Sequence, residues 1–321
     1  MKLLILLTIL LSCTQPKVVE KKVIPAEEKK VVAPKPIKKE LPSLITPLHR
    51  NGKPISKELT KFCNKINKKF RQYAWGTNRC EKYDWQYVRR SYYGTPIAWI
   101  VYGEPEEVAA NTTVIFCGVH GDEITPVKFC FDIMTYLDDL KEFPRGTRVV
   151  VAPIVTPDSF LKKYPSRTNA RGVDTNRNFP TKDWKKDAHR LWKKRYRRSK
   201  RKYPGKKPMS EQETYFQVNL IKRYMPSKII SVHAPLTIID YDGPELKKGG
   251  AHELLLQMSK DAKGYKVKNF PFFPGSLGNW AGNELKIPTY TLELPSSDNR
   301  LHKKYWKRFK NAIHTAIFKK L

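Results

Sequence analysis

The sequence predicts an α/β protein: a mixed, largely parallel β-sheet flanked by helices. Short apolar, β-branched runs alternate along the chain with segments whose apolar residues recur three and four apart. That is the pattern of strands joined through helices. With 321 residues, 40% apolar and 12% aromatic, the chain can also bury the core such a sheet needs.

The elements follow in order. Pro96–Tyr102 alternates as a strand, and Thr113–Cys117 is an apolar strand stopped by Gly118. Ile124–Leu140 has helical spacing, and Arg148–Val155 is a further strand. Glu211–Tyr224 reads as a helix, with Ser210 and Glu213 as its expected capping box. Ile229–Val232 and Thr289–Leu294 are short buried-type strands. Lys303–Leu321 is a last helix with Trp306, Phe309, Ile313 and Ile317 on one stripe. There is no internal repeat.

The first 55 residues differ in kind. Lys2 precedes an apolar run, Leu3–Leu11, too short to span a bilayer but suited to a signal peptide. It ends in Leu10-Leu11-Ser12-Cys13, which resembles a bacterial lipobox. The resemblance implies a signal peptide over residues 1–12, cleavage before Cys13 and a lipid on Cys13. Thr14 lacks the acid that retains such lipoproteins at the inner membrane, so outer-membrane attachment facing the periplasm is expected. A plain secretory signal is the bland alternative. Residues 13–55 form a Lys-, Glu-, Pro- and Val-rich stretch with no aromatics, too polar to pack and read as a tether. Some forty such residues reach about 35 Å. Residues 56–321 are the globular domain.

The formal charge is +32, from 62 Lys+Arg against 30 Asp+Glu. Such an excess favours nucleic acid, an acidic membrane or a carboxylate-rich polymer. Export removes nucleic acid from that set and leaves an anionic envelope surface. Residues 184–207 concentrate the basic charge, with Trp184, Trp192 and Tyr196 interleaved. A solvated basic loop or helix is the simplest reading, and envelope attachment is the functional one. Export also permits disulfides. Cys63 and Cys80 are expected to pair, whereas Cys117 and Cys130 sit in apolar runs and read as buried thiols.

Four segments carry chemistry. Val119-His120-Gly121-Asp122-Glu123 follows a strand, so His120 and Glu123 can turn toward one point. Imidazole and carboxylate are zinc donors, although His-x-x-Glu alone equally describes an ordinary loop. Arg171-Gly172-Val173-Asp174-Thr175-Asn176-Arg177-Asn178-Phe179 is a polar loop whose arginines can clamp a carboxylate. His233 ends the strand Ser231-Val232-His233. Glu293 sits inside the apolar strand Thr291-Leu292-Glu293-Leu294, where an unpaired carboxylate is costly and a metal site or a salt bridge would explain it.

Together, in this order and spacing, the four segments resemble the zinc carboxypeptidase family, the funnelins. Ile154-Val155-Thr156-Pro157-Asp158, Ser210-Glu211-Gln212-Glu213-Thr214 and Gly275-Ser276 with Trp280 add further matches over about residues 90–320. The resemblance implies that His120, Glu123 and His233 hold Zn²⁺. It implies that Asn176 and Arg177 bind the substrate's terminal carboxylate and that Glu293 is the general base. The arginine that polarises the scissile carbonyl should be Arg167, with Arg171 second.

Asn169-Ala170-Arg171-Gly172-Val173-Asp174, His233-Ala234-Pro235-Leu236 and Asp240-Tyr241-Asp242-Gly243-Pro244 are similar to the murein peptide amidase A branch. That branch implies peptidoglycan peptides as substrate and the γ-D-glutamyl–meso-diaminopimelate bond as target. Diaminopimelate also carries an amine, which Asp240 or Asp242 could meet; a turn residue is the alternative reading of either. The chain departs from digestive carboxypeptidases where Ala281 and Gly282 follow Trp280, in place of a capping tyrosine. A general metallocarboxypeptidase, an N-acyl amino-acid deacylase and a non-enzymatic cell-wall-binding lipoprotein are the alternatives. A pure binder would have no need of Glu293.

Overall fold

The computed structural model describes residues 44–45, 55–105, 109–244 and 250–321. The signal peptide, Cys13 and the tether as far as residue 54 lie outside the described residues, the backbone of 44–45 excepted. Ten strands are described: β1 Leu44–Ile45, β2 Gln86–Arg90, β3 Pro96–Gly103, β4 Asn111–Phe116, β5 Phe143–Pro144, β6 Thr147–Ala152, β7 Lys228–His233, β8 Ile238–Asp242, β9 Val267–Lys268 and β10 Thr289–Glu293. The α-helices are α1 Lys57–Gln72, α2 Ile124–Asp139, α3 Pro157–Leu161, α4 His189–Lys194, α5 Gln212–Tyr224, α6 Gly250–Asp261 and α7 His302–Phe318.

Eight strands form one sheet in the order β2-β3-β6-β4-β7-β10-β8-β9. Its centre, β6-β4-β7-β10, is parallel, while β2, β3 and β8 pair antiparallel to their inner neighbours. The predicted mixed, largely parallel sheet is therefore the observed one. Alternation within the central strands feeds two cores. Val114, Phe116, Val150 and Ile229 point to one face, against Phe216, Leu220 and Trp280. Ile115, Val149, Val151 and Ile230 point to the other, against α2 and α7 through Phe129, Ile133, Phe309 and Ile313. Covering on both faces is why these strands read as continuous apolar runs.

The capping box predicted for α5 does not form. Glu211 is the residue before the helix and caps nothing with its side chain. Ser210 instead donates to Glu211 at 2.6 Å, and Asn169 Nδ2 reaches both Glu211 (2.8 Å) and Glu213 (2.9 Å). The two acids are thus used to bracket the loop that carries Arg167 and Asp174.

Cys63 is joined to Cys80, as expected. The reading of Cys117 and Cys130 as free thiols is corrected: they form a second disulfide with Cα atoms 6.2 Å apart. Cys117 directly follows β4, and α2 folds back over that strand, so two fully buried sulfurs meet. Closing loops of this size stabilises a fold by about 2–4 kcal/mol. We therefore expect the double variant Cys117→Ser/Cys130→Ser to lose about 2–4 kcal/mol in urea unfolding. Peptide mapping of denatured, unreduced protein should find no reactive thiol at either position, and free thiols at both would refute the pairing.

Candidate zinc centre

β4 and β7 are parallel neighbours, so their carboxyl ends reach the same edge of the sheet. His120 lies four residues beyond β4, and His233 closes β7. Gly121 lets the turn between them pass against a neighbouring segment: a Cβ there would stand 2.6 Å from Phe160 N. Glu123 follows and is buried between the two imidazoles. Its Oε1 lies 2.7 Å from His120 Nδ1 and its Oε2 2.9 Å from His233 Nδ1. The three donor groups fall within 4.8 Å of one another.

The far nitrogens decide what this cluster can hold. His120 Nε2 lies 3.0 Å from Asp174 Oδ1, and His233 Nε2 lies 2.9 Å from Ser231 Oγ. Both rings turn Nδ1 toward the carboxylate oxygens. With the ring proton on Nε2 each would offer its Nδ1 lone pair to a cation there, and a rear hydrogen bond on each imidazole is the usual support of a metal-binding histidine. Two histidines and one carboxylate with a side open to a cavity is a catalytic zinc donor set. The charge balance agrees: Glu123 and Asp174 are both buried acids, and Arg167 is the one guanidinium between them, 3.1 Å from each.

Electrostatics follow from that packing. Burial works to raise the Glu123 and Asp174 carboxyls. For Glu123 the two histidines outweigh it, and for Asp174 Arg167 and His120 do, so both stay ionised, below the ordinary carboxylate range. Glu293 goes the other way. Burial pushes it up, against the pull of His233. Leu236 N donates to Glu293 Oε2 at 3.3 Å. Glu293 lies beside His233 in register on β10.

These groups line a cavity of about 330 Å³. A larger groove, about 1070 Å³, runs past Lys65 and Lys163, but it contains no histidine and Asp158 is its one acid, so the metal chemistry belongs to the smaller space. Arg177 lines the smaller cavity with no acid paired to it among the described residues. Its Nε is buried without a partner, and its guanidinium lies 4.9 Å over Phe273. Asn176 beside it has Oδ1 committed to Leu277 N at 2.8 Å, which leaves its NH₂ for a ligand. Asp240 and Asp242 lie on the same cavity. Burial and then Asp240 push the Asp242 carboxyl up to about 7, with Arg177 acting oppositely. Gly278 makes room for that carboxylate, since a Cβ there would sit 2.0 Å from Asp242 Oδ2.

The structure thus gathers His120, Glu123, His233, Arg167, Asn176, Arg177, Asp240, Asp242 and Glu293 around one space. Of the two candidate carbonyl-polarising arginines, Arg167 is there. Arg171 lies outside, half-exposed, 3.8 Å from Glu211 and 5.9 Å over Tyr92. Sequence reasoning passed over Asp174, which looks like an ordinary Asx residue in a polar turn, and over Lys202, one of many lysines in a basic run, although it lines the cavity.

The architecture and site define a zinc carboxypeptidase: that family's pattern matches residues 78–315, and the chain belongs to the zinc carboxypeptidase family, a family of zinc-dependent hydrolases. Among its relatives, murein peptide amidase A of Escherichia coli (strain K12) is 33% identical over 224 residues, covering 68% of this chain and 85% of that protein. The crystal structure of murein-tripeptide amidase MpaA from Escherichia coli O157 superposes with a TM-score of 0.50 at 28% identity, over 71% of this chain and 90% of that one. The fold is shared more widely: carboxypeptidase A from Helicoverpa armigera aligns with a TM-score of 0.58 at 17% identity, over 82% of this chain and 72% of that one.

If Asp174 holds the His120 ring in place, Asp174→Asn should weaken zinc retention by about 10–100-fold, measured by competition with a chelator. An affinity equal to wild type would remove Asp174 from the support of the metal.

Proposed function

We propose that this enzyme hydrolyses peptidoglycan stem peptides at the bond between γ-D-glutamate and meso-diaminopimelate. One juxtaposition carries the reading. Arg177, which has no acid partner among the described residues, and the carboxylates of Asp240 and Asp242 share one cavity with Glu293, so a substrate end bearing both a carboxylate and an amine fits beside the reacting bond. Diaminopimelate is such an end. The 33% identity to a murein peptide amidase supports the same assignment.

Each residue has a part. His120, Glu123 and His233 would hold zinc, which when bound would supply an acidified water and an electrophile for the carbonyl oxygen. Arg177 and Asn176 bind the terminal carboxylate, fixing which bond is presented. Arg167, oriented by Glu123 and Asp174, stabilises negative charge developing on the carbonyl oxygen. Glu293 takes the proton from water and returns it to the leaving amine. Asp240 or Asp242 meets the side-chain ammonium.

The proposed setting is the periplasmic side of the outer membrane, with Cys13 lipidated and residues 13–55 as a tether. Two disulfides support export to an oxidising compartment. No helix among the described residues is long and apolar enough to cross a membrane. The basic segment 184–207 adds attraction to an anionic envelope surface.

Glu293→Gln keeps the shape and cannot accept the proton. Folded and zinc-loaded, it should bind γ-D-glutamyl–diaminopimelate peptides yet lose about 10²-fold or more in kcat. Near-normal kcat would sink the base assignment. Loss of melting temperature with an active folded fraction would make Glu293 a structural ion-pair partner instead. For the anchor, Cys13→Ser should release the protein from the membrane fraction, and unchanged fractionation would refute lipid attachment at this residue.

A further inference from the structure

The basic segment is folded against the catalytic cavity. Trp184 is buried, and its indole donates to Arg177 O at 2.9 Å. Trp192 packs on Tyr203 with ring centroids 5.0 Å apart. Arg201 pairs with Asp122 at 2.7 Å, inside the loop that carries His120 and Glu123. Tyr203 O accepts from Asp174 N at 2.8 Å. Lys202 lies between these two tethers, and both hold the chain to site residues.

Lys202 faces inward and lines the cavity with Arg167 and Arg177. No carboxylate among the described residues pairs with it; its contact is the Tyr196 ring, 5.7 Å from Nζ. Burial, then Arg167, then Arg177 lower its pKa to about 8, with Asp174 and Glu123 acting oppositely, so it remains mostly charged near neutrality. A half-buried cation beside two others, without an acid of its own, is unfavourable until an anion arrives. Arg167 is already engaged by Glu123 and Asp174. Arg177 with Asn176 suffices for one terminal carboxylate. Lys202 is therefore surplus for a substrate with a single carboxylate.

We propose that Lys202 binds a second substrate carboxylate, so that the cavity selects peptides with two free carboxylates near the scissile bond. The identity of the peptide rests on the function proposed above. Two sources offer that group: the α-carboxylate of the γ-linked glutamyl residue, and the second carboxylate of diaminopimelate.

The test compares three peptides: γ-D-glutamyl–diaminopimelate, its α-amidated isoglutaminyl form, and the form with lysine replacing diaminopimelate. Wild type, Lys202→Met and Lys186→Met are measured on each; the last removes an exposed charge from the same segment. Wild type should favour the first peptide over one of the others by about 10-fold or more in kcat/KM, the scale of one charge-assisted hydrogen bond. Lys202→Met should lose that preference while keeping zinc and melting temperature, and Lys186→Met should keep it. Loss of the amide discrimination assigns the glutamyl carboxylate, and loss of the lysine discrimination assigns diaminopimelate.

Equal losses on all three peptides, or preferences unchanged in Lys202→Met, overturn the proposal. If wild type cleaves none of the peptides, the assigned bond is wrong. Their Kd values for zinc-loaded Glu293→Gln, with and without Lys202→Met, then decide on Lys202 separately: a preference that Lys202→Met abolishes supports the proposal, and equal affinities overturn it.

Discussion

The buried carboxylate of Glu123 is the constraint on which the rest of the site depends. It must stay ionised to hold a cation between His120 and His233, and an ionised carboxylate in a protein interior is costly unless it is paired and hydrogen-bonded. The surrounding structure supplies that compensation. Two imidazoles, the Arg167 guanidinium and Ala234 N all converge on its two oxygens. Arg167 in turn needs Asp174, and Asp174 needs His120. The chain of obligations closes on itself within a few side chains. Those side chains come from the ends of β4 and β7 and from the loop around residues 167–174. That loop is fixed from behind by Asn169, which donates to Glu211 and Glu213 and accepts from Arg171 N and Val173 N.

This circularity explains why the sheet topology matters for chemistry. A parallel pair brings two strand ends to the same edge, and ligands in open α/β sheets sit beyond such ends. The next strand, β10, brings Glu293 into register beside His233. Antiparallel pairing of β8 to β10 then places Asp240 and Asp242 on the same cavity. Neighbouring strands therefore bring His233, Glu293, Asp240 and Asp242 to one cavity in spatial sequence.

Much of this was legible in the residues, for a physical reason. His120, His233 and Glu293 are polar groups at the ends of, or inside, apolar runs, and each violates the local pattern strongly enough to demand an explanation. The strands themselves were legible because burial on both faces makes them continuously apolar. Asp174 and Lys202 were not legible because they violate nothing. An aspartate in a Gly/Asn loop and a lysine among lysines are what such segments contain by default, and only tertiary packing separates them from their neighbours. The cysteines at 117 and 130 failed for the opposite reason. An apolar run is where a buried thiol is at home, so local context pointed away from a pairing that depends on α2 folding back over its own strand. The capping box failed because Glu211 and Glu213 both serve Asn169.

The basic segment shows how composition and position answer different questions. A charge of +32 describes the field far from the protein, which sets the partners attracted and the rate of encounter. At exposed positions such as Lys185 and Lys186 the charges are solvated and largely screened beyond about 10 Å in ordinary salt. Lys202 belongs to the same run but is partly withdrawn from water, where a charge interacts more strongly and discriminates between ligands at short range. One segment thus carries solvated charge on its outer residues and a partly withdrawn charge at Lys202. Its tethers at Arg201–Asp122 and Tyr203–Asp174 fix the basic surface to the loops that also shape the zinc centre.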